Sequence, residues 1–193
     1  SEQIGRLLRW WDEAHPRSLV VFTADHGEGL GDGGEQTHGF LLHDGTIRVP
    51  LILRGEGVEA GKVVHDAVGH TDIVPTILNI TGLPHHDGLQ GRDLREGGSD
   101  QLYSEALTGQ FNLGLAPLYA YTDDAGRYME GSWGGWYQAM GDAVLTIHEE
   151  DLDVTAQTEQ LALMRAQLDE VVAETTTLDQ TAIEMLMVMG YMG

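Results

Sequence analysis

The stretch VVFTADHGEGLGDGGEQTHGFLLHDGTIRVPLILR, residues 20–54, decides the fold of this chain. An apolar run at 18–23 leads into it and a second run at 49–53 closes it, so two short strands flank a polar, glycine-rich loop. A continuous apolar run is typical of a strand buried on both faces, as in a parallel sheet. The pattern therefore predicts an open α/β sheet with the loop at its edge.

Helices are predicted on both sides of this stretch. Residues 2–14 place apolar side chains at helical spacing, and His15-Pro16 ends the pattern because the residue before proline disfavours the α region. Residues 72–80 form a second predicted helix, with Asp72 in its first turn and Gly82 just past its end. The alternation of helix and strand supports the α/β class.

The second half of the sequence predicts a smaller antiparallel sheet followed by two helices. Strands are expected at 102–106, 118–122 and 127–130, and amphipathic helices at 157–174 and roughly 179–189. We expect three parts: 1–98 with the α/β core and its loop, 99–150 with the small sheet, and 151–193 with the helices.

The charge of the chain excludes several classes of partner. The 193 residues include 31 acids and 10 bases, a formal net charge of −21, which repels a phosphate backbone and anionic lipid. We therefore expect no nucleic-acid partner, and no run reaches the ~18 apolar residues of a membrane span. The absence of cysteine excludes disulfides and a cysteine nucleophile within these residues.

Asp25 and His26 follow directly after the first predicted strand. In open α/β sheets, ligands bind in the crevice beyond the carboxyl ends of the strands. A carboxylate suits Ca²⁺, Mg²⁺ or Mn²⁺, and an imidazole moves the preference towards Mn²⁺ or Zn²⁺. His38 can return to the same crevice as a donor to an anion. From the residues alone the alternative is a turn that simply ends the strand.

Ordered elements along the chain resemble the sulfatases of the alkaline phosphatase superfamily. The main ones are T-A-D-H-G-E at 23–28, G-L-G-D at 29–32, G-E-Q-T-H-G at 34–39, R-V-P-L-I-L at 48–53, H-T-D-I-V-P-T-I-L at 70–78 and L-Q-G-R-D-L at 89–94. Gly82-Leu83-Pro84, Tyr103-Ser104-Glu105 and the final residues 186–193 are also similar to elements of that family.

The resemblance implies part of an alkaline-phosphatase-like open sheet with flanking helices, then a small antiparallel sheet and C-terminal helices. It implies that Asp25 and His26 are ligands of a divalent cation, Ca²⁺ first and Mn²⁺ second. It also implies that His38 is both catalytic and substrate-binding. The expected reaction is metal-assisted hydrolysis of a small-molecule or glycan sulfate ester with a formylglycine nucleophile, by a periplasmic or secreted protein.

The chain departs from the family's pattern in one large respect. The motif C/S-x-P-x-R, whose cysteine or serine becomes formylglycine, and two further metal-binding aspartates belong to the family's N-terminal half and have no match here. We therefore expect a C-terminal half that needs the missing N-terminal half as its partner and is inactive alone. Gly34 also stands where a histidine is common.

Two alternatives stay open. His26 slightly favours a phosphodiester or phosphonate monoester hydrolase of the same superfamily, because many arylsulfatases carry asparagine at that position. A non-catalytic metal-binding or interaction module would have no nucleophile upstream in the gene. The single histidines His43, His65 and His70 are each expected to be surface or packed residues.

Overall fold

The structure is a computed structural model that describes residues 2–99, 101–132, 134–139, 146–147 and 153–172. Its helices are α1 (Glu2–Ala14), α2 (Asp44–Ile47), α3 (Ile73–Thr81), α4 (Thr108–Leu113) and α5 (Thr155–Val172). Its strands are β1 (Val20–Phe22), β2 (Ile52–Arg54), β3 (Leu102–Ala106), β4 (Leu118–Thr122), β5 (Gly126–Gly131), β6 (Gly134–Ala139) and β7 (Thr146–Ile147). The predicted α/β class is confirmed.

The first sheet contains the two predicted strands, β1 and β2. They pair antiparallel, with Val21 opposite Leu53, so the expectation of a parallel arrangement is wrong for this pair. The three residues of β1 are only half-buried. The partial burial follows because β2 is the one strand beside β1 within the described residues. The direction was not predictable, because an apolar run indicates burial and does not specify how the strands run.

Helix α1 covers the predicted range, 2–14, and lies beside this sheet. An ion pair between Asp12 and Arg54 joins it to β2. The indole N–H of Trp11 donates to Ser18 Oγ at 2.7 Å, which fixes the turn between α1 and β1. None of the residues of α1 is fully buried.

Helix α3 begins and ends one residue later than the predicted range, 72–80. A single 3₁₀ turn, His70–Asp72, leads into it, and Gly82 follows its last residue with a φ of 68°. Glycine adopts this left-handed conformation without steric cost, which explains the stop.

A buried hydrogen-bond network of Asp72 and Thr76 connects the loop after α3 to the start of that helix. The Asp72 carboxylate accepts the backbone N–H groups of Gly69 and Arg92, at 2.9 and 3.0 Å. The Thr76 hydroxyl donates to the Asp72 carbonyl at 2.6 Å and accepts the Leu94 N–H at 2.9 Å. Because Asp72 and Thr76 are both buried, each of these bonds replaces one that water would otherwise make.

The second sheet has the strand order β3-β4-β5-β6-β7, with every neighbouring pair antiparallel. The predicted strand 102–106 and the hairpin of 118–122 with 127–130 are confirmed. Helix α4 was not predicted, and neither was the pairing of β6 with β5. The predicted helix 157–174 corresponds to α5, and the helix at 179–189 lies outside the described residues.

The two faces of this sheet pack against different elements. Along β4, Ala120 belongs to one core cluster and Tyr121 to the other, as alternation of side chains requires. The first cluster includes Leu42, from the loop before α2. The second includes Leu161 of α5. The sheet therefore lies between the glycine-rich part of the chain and the C-terminal helix.

An ion pair connects α2 to the second sheet. Arg127 of β5 donates to Asp44 at 2.9 Å and to the Thr122 hydroxyl at 3.1 Å. The Arg127 side chain is 8% exposed, whereas Arg48, which lies 3.5 Å from the same carboxylate, is 68% exposed. Among the described helices, none is long and apolar enough to cross a membrane.

We predict that Thr76→Val destabilises the chain by about 1–3 kcal/mol, because the buried Leu94 N–H loses its acceptor. Thr81→Val is the matched control, since Thr81 is exposed on the same helix and its hydroxyl bonds only to helix carbonyls. We expect that control to change the free energy of unfolding by less than about 0.5 kcal/mol. Urea unfolding followed by circular dichroism measures the free energy of unfolding of both variants. Equal effects of the two substitutions would show that the bond from Leu94 to Thr76 does not stabilise the fold.

We also predict that Arg127→Met lowers the free energy of unfolding by about 1–3 kcal/mol, since it leaves the Asp44 carboxylate without its shielded partner. Arg48→Met removes the exposed partner of the same carboxylate and should cost less than about 1 kcal/mol. The same urea titration compares them. If the two variants are equally stable, the ion pair does not hold α2 to the sheet.

Candidate active site

The turn after β1 carries Asp25 and His26, and three contacts fix its backbone. His70 Nε2 lies 2.9 Å from the Ala24 carbonyl and, because a carbonyl only accepts, donates to it. The Gly27 N–H donates to the Thr46 carbonyl of α2 at 2.7 Å. A Cβ on Gly27 would lie 2.1 Å from the Gly45 carbonyl oxygen, so only glycine permits this approach.

Asp25 presents an ionised carboxylate to solvent. Its side chain is 86% exposed. The His26 backbone N–H donates to Asp25 Oδ1 at 3.0 Å. This bond, with smaller contributions from the His26 and His38 rings, lowers the pKa of Asp25 below its usual value. The carboxylate is therefore negative across the neutral range and suits a cation.

His26 offers a nitrogen lone pair beside this carboxylate. Its Nδ1 lies 2.8 Å from the Gly27 carbonyl and must carry the proton of that hydrogen bond. In the neutral ring Nε2 is then free of hydrogen, and it lies 3.6 Å from Asp25 Oδ2. A bonded Nδ1–H with a free Nε2 is the usual state of a metal-binding histidine. The donor chemistry of the two residues therefore fits a divalent cation.

Two donors do not complete a metal site. Across the described ranges, no group of three or more His, Cys, Asp or Glu residues is placed to hold a metal ion. Divalent cations take four or more ligands in proteins. Among the described residues, Asp25 and His26 therefore offer two donors but do not by themselves make a metal site.

His38 lies against His26. The two rings stack with their centroids 3.8 Å apart and an angle of 25° between their planes. The Gly29 N–H donates to the Thr37 carbonyl at 2.7 Å, which closes the loop and brings His38 back to the end of β1. The structure therefore brings together all three residues that the sequence singled out.

Glu28 is a member of this group that sequence reasoning missed. Its Oε1 lies 3.5 Å from His38 Nδ1, and both side chains are about half exposed. A carboxylate beside one imidazole nitrogen orients the ring and favours a proton on that nitrogen. The only signal in the sequence was its place in the loop, because the contact depends on how the loop folds back.

The three single histidines that the sequence analysis considered lie in different environments. His43 is buried, His65 is exposed, and His70 fixes the Ala24 carbonyl as described. The site thus combines an exposed carboxylate, an imidazole with a free nitrogen, and a second imidazole with its own carboxylate. This arrangement can hold a cation beside an oxyanion and can deliver a proton next to it.

Comparison with known proteins gives a family match. Residues 1–83 match the family model named Sulfatase. The arylsulfatase K of Bos taurus is 27% identical over 166 residues, which are 85% of this chain and 30% of that protein. The extracellular sulfatase SULF-1 homolog of Drosophila melanogaster is 36% identical over 77 residues, 40% of this chain and 7% of that protein.

Two solved structures share the fold. The phosphonate monoester hydrolase SpPMH from Silicibacter pomeroyi gives a TM-score of 0.62 at 22% identity, covering 90% of this chain and 38% of that one. The protein BT4656, solved in complex with its substrate D-glucosamine-2-N,6-O-disulfate, gives 0.64 at 19% identity, covering 89% and 38%. The chain thus spans about a third of the length of the relatives that it matches over most of its residues. Over residues 1–83, this chain is similar to the sulfatase family.

Proposed function

We propose that the complete protein carrying these residues is a sulfuric ester hydrolase, a sulfatase. The observation that carries the proposal is the stack of His38 on His26 beside the Asp25 carboxylate. Such a group supplies a cation ligand, a second ligand nitrogen and a proton donor at the end of β1. The family match over residues 1–83 supports the same reaction class.

In this proposal Asp25 and His26 hold a divalent cation, with Ca²⁺ the first candidate and Mn²⁺ the second. When bound, such a cation offsets the negative charge that develops on the transferring sulfuryl group. The remaining ligands and a formylglycine nucleophile would come from the part of the protein outside these 193 residues.

His38 binds the sulfate and protonates the departing oxygen. Its ring is 45% exposed, so a substrate reaches it from solvent. The proton donor is the imidazolium form of His38: its Nδ1–H faces Glu28, and its Nε2–H passes to the departing oxygen and leaves a neutral ring. The proposed substrates are small-molecule or glycan sulfate esters, and the sulfated glucosamine with which BT4656 was solved belongs to that class.

A second candidate is hydrolysis of phosphonate monoesters or phosphodiesters. One solved relative of the fold is named as a phosphonate monoester hydrolase, and His26 supports this candidate because imidazole favours Mn²⁺. A periplasmic or secreted location also belongs to the proposal. The word extracellular in the name of the Drosophila melanogaster relative supports it.

A substrate comparison with the complete protein tests the proposal. We expect the rate of 4-nitrophenyl sulfate hydrolysis, expressed as kcat/KM, to exceed the rates for the phosphonate and phosphodiester analogues. The opposite order would select the second candidate, and no turnover of any of them would support a non-catalytic binding module. A C/S-x-P-x-R motif in the coding region before Ser1 would support the nucleophile. We expect no turnover by the 193-residue chain alone.

For the complete protein we predict that Asp25→Asn weakens Mn²⁺ or Ca²⁺ binding and lowers kcat/KM at least about 100-fold, because the amide carries no charge. Asp32→Asn is the matched control: Asp32 is an exposed aspartate of the same loop. Calorimetry gives the metal affinity and a sulfate-ester assay the rate. Equal effects of the two variants would remove Asp25 from the ligand set.

We predict that His38→Asn lowers kcat for phenyl sulfate, which has a poor leaving group, about 100-fold, since the proton donor is lost, while the metal affinity is retained. The rate and the metal affinity should respond differently because the two proposed ligands, Asp25 and His26 Nε2, face one another, whereas His38 stacks on the His26 ring. His85→Asn, at an exposed histidine elsewhere, serves as the control. Loss of metal binding in His38→Asn would show that His38 is a ligand instead.

A further inference from the structure

A buried carboxylate and a buried imidazole lie in the loop that carries His38. Glu35 is 6% exposed and His43 is 3% exposed. The side-chain hydrogen bonds and close contact of both residues lie within the loop and the start of α2 and do not involve Asp25 or His26. Burying such groups is costly unless they are bonded, and the proposed reaction gives neither of them a direct part.

Glu35 closes the segment that contains His38. Its Oε1 accepts the Phe40 N–H at 2.9 Å, and its Oε2 accepts the Leu41 N–H at 3.0 Å. Both oxygens of the Glu35 side chain therefore accept a backbone N–H group of this segment. These two bonds join the ends of a short loop that runs from Glu35 to Leu41, and His38 lies in that loop. Its position therefore depends on the Glu35 side chain.

His43 is bonded on one side only. Its Nδ1 accepts the Gly45 N–H at 3.1 Å, so in the neutral ring Nε2 carries the proton. This buried Nε2 has no hydrogen-bond partner among the described residues. Glu35 Oε2 lies 3.7 Å away. A movement of about 0.7 Å would bring the two atoms to hydrogen-bond distance.

The His43 ring also fills the space between the glycine-rich loop and α2. A Cβ on Gly33 would lie 3.2 Å from His43 Cδ2, and one on Gly45 would lie 2.9 Å from Cε1. Helix α2 in turn accepts the Gly27 N–H through Thr46. The same imidazole therefore lies between the glycine-rich loop at Gly33 and the start of α2 at Gly45.

We propose that His43, acting through Glu35, is a positioning residue that holds the His38 ring against His26. The buried N–H of His43 faces the carboxylate that closes the His38 segment, so the pair sets where His38 stands at the end of β1. The inference rests on the proposed function, in which His38 protonates the departing oxygen. It assigns to His43 control of that step without contact with substrate or cation.

Two amide substitutions in the complete protein separate the functions of the two ring nitrogens. His43→Asn keeps an acceptor near the position of Nδ1 and loses the donor at Nε2, whereas His43→Gln keeps a donor near Nε2 and loses the acceptor. Asparagine should therefore disturb His38, and glutamine should largely preserve it. His85→Asn repeats the substitution at an exposed histidine and controls for the change itself.

Leaving-group dependence is the activity readout, because a poor leaving group needs its proton and a good one does not. We expect His43→Asn to lower kcat for phenyl sulfate at least about 10-fold and for 4-nitrophenyl sulfate less than about 3-fold. His43→Gln and His85→Asn should resemble the wild type on both substrates. Equal losses on both substrates in His43→Asn, or a worse defect in His43→Gln, would overturn the proposal.

Hydrogen–deuterium exchange gives a readout independent of activity. We expect the segment 36–42 to exchange at least about 10-fold faster in His43→Asn than in the wild type, since the bonds to Glu35 open more often. The segment 73–81, which is α3, should be unchanged and so excludes general unfolding. Unchanged exchange at 36–42 would overturn the proposal.

The two readouts keep this inference apart from the proposed function. If the wild type hydrolyses no sulfate ester, the proposed function fails, and exchange alone then decides whether His43 holds the His38 segment. If the wild type is active and both His43 variants keep its leaving-group dependence, the positioning proposal fails while the sulfatase proposal stands.

Discussion

The close approach of the backbone at Gly27 to α2 is the constraint on which the site depends. The Gly27 N–H donates to the Thr46 carbonyl at 2.7 Å, and a side chain there would collide with the Gly45 carbonyl oxygen. Because Gly27 follows His26 directly, the contact determines where that ring stands. Any residue with a Cβ would push the loop away from α2 and separate the groups at the end of β1.

Helix α2 is itself held from the opposite side. Asp44 pairs with the buried Arg127 of the second sheet, and Leu42 packs in a core cluster with Ala120 and Met129. The second sheet thus stabilises the candidate site although its described residues supply no member of it. Helix α5 covers the other face of that sheet through Leu161. The second sheet therefore packs against α5 on one face and against the segment that carries Leu42 on the other.

The charges of the site contrast with those of the whole chain. A formal net charge of −21 produces a field that repels anions at long range, whereas the stacked His26 and His38 rings are the groups that an oxyanion would meet at short range. A cation between Asp25 and His26 would strengthen that local attraction. This division explains how an acidic chain can carry a site for which sulfate esters are the proposed substrates.

The sequence by itself determined the elements with strong local signals. The proline after His15, the glycine after α3 and the strand and turn residues of β3, β4 and β5 placed the ends of those elements to within one residue. It also singled out Asp25, His26 and His38, because a carboxylate and imidazoles after an apolar run are a chemical signal within one short segment. Motifs of this kind depend on neighbouring residues, which a sequence shows directly.

Only the tertiary structure decided the contacts between distant segments. The antiparallel direction of β1 and β2, the stack of His38 on His26, and the burial of Glu35 with His43 all depend on how the loop folds back. The part played by Glu28 beside His38 has the same origin. The sequence around an isolated histidine or glutamate does not show whether its side chain is solvated or buried. That environment arises from packing against distant segments, which no local pattern encodes.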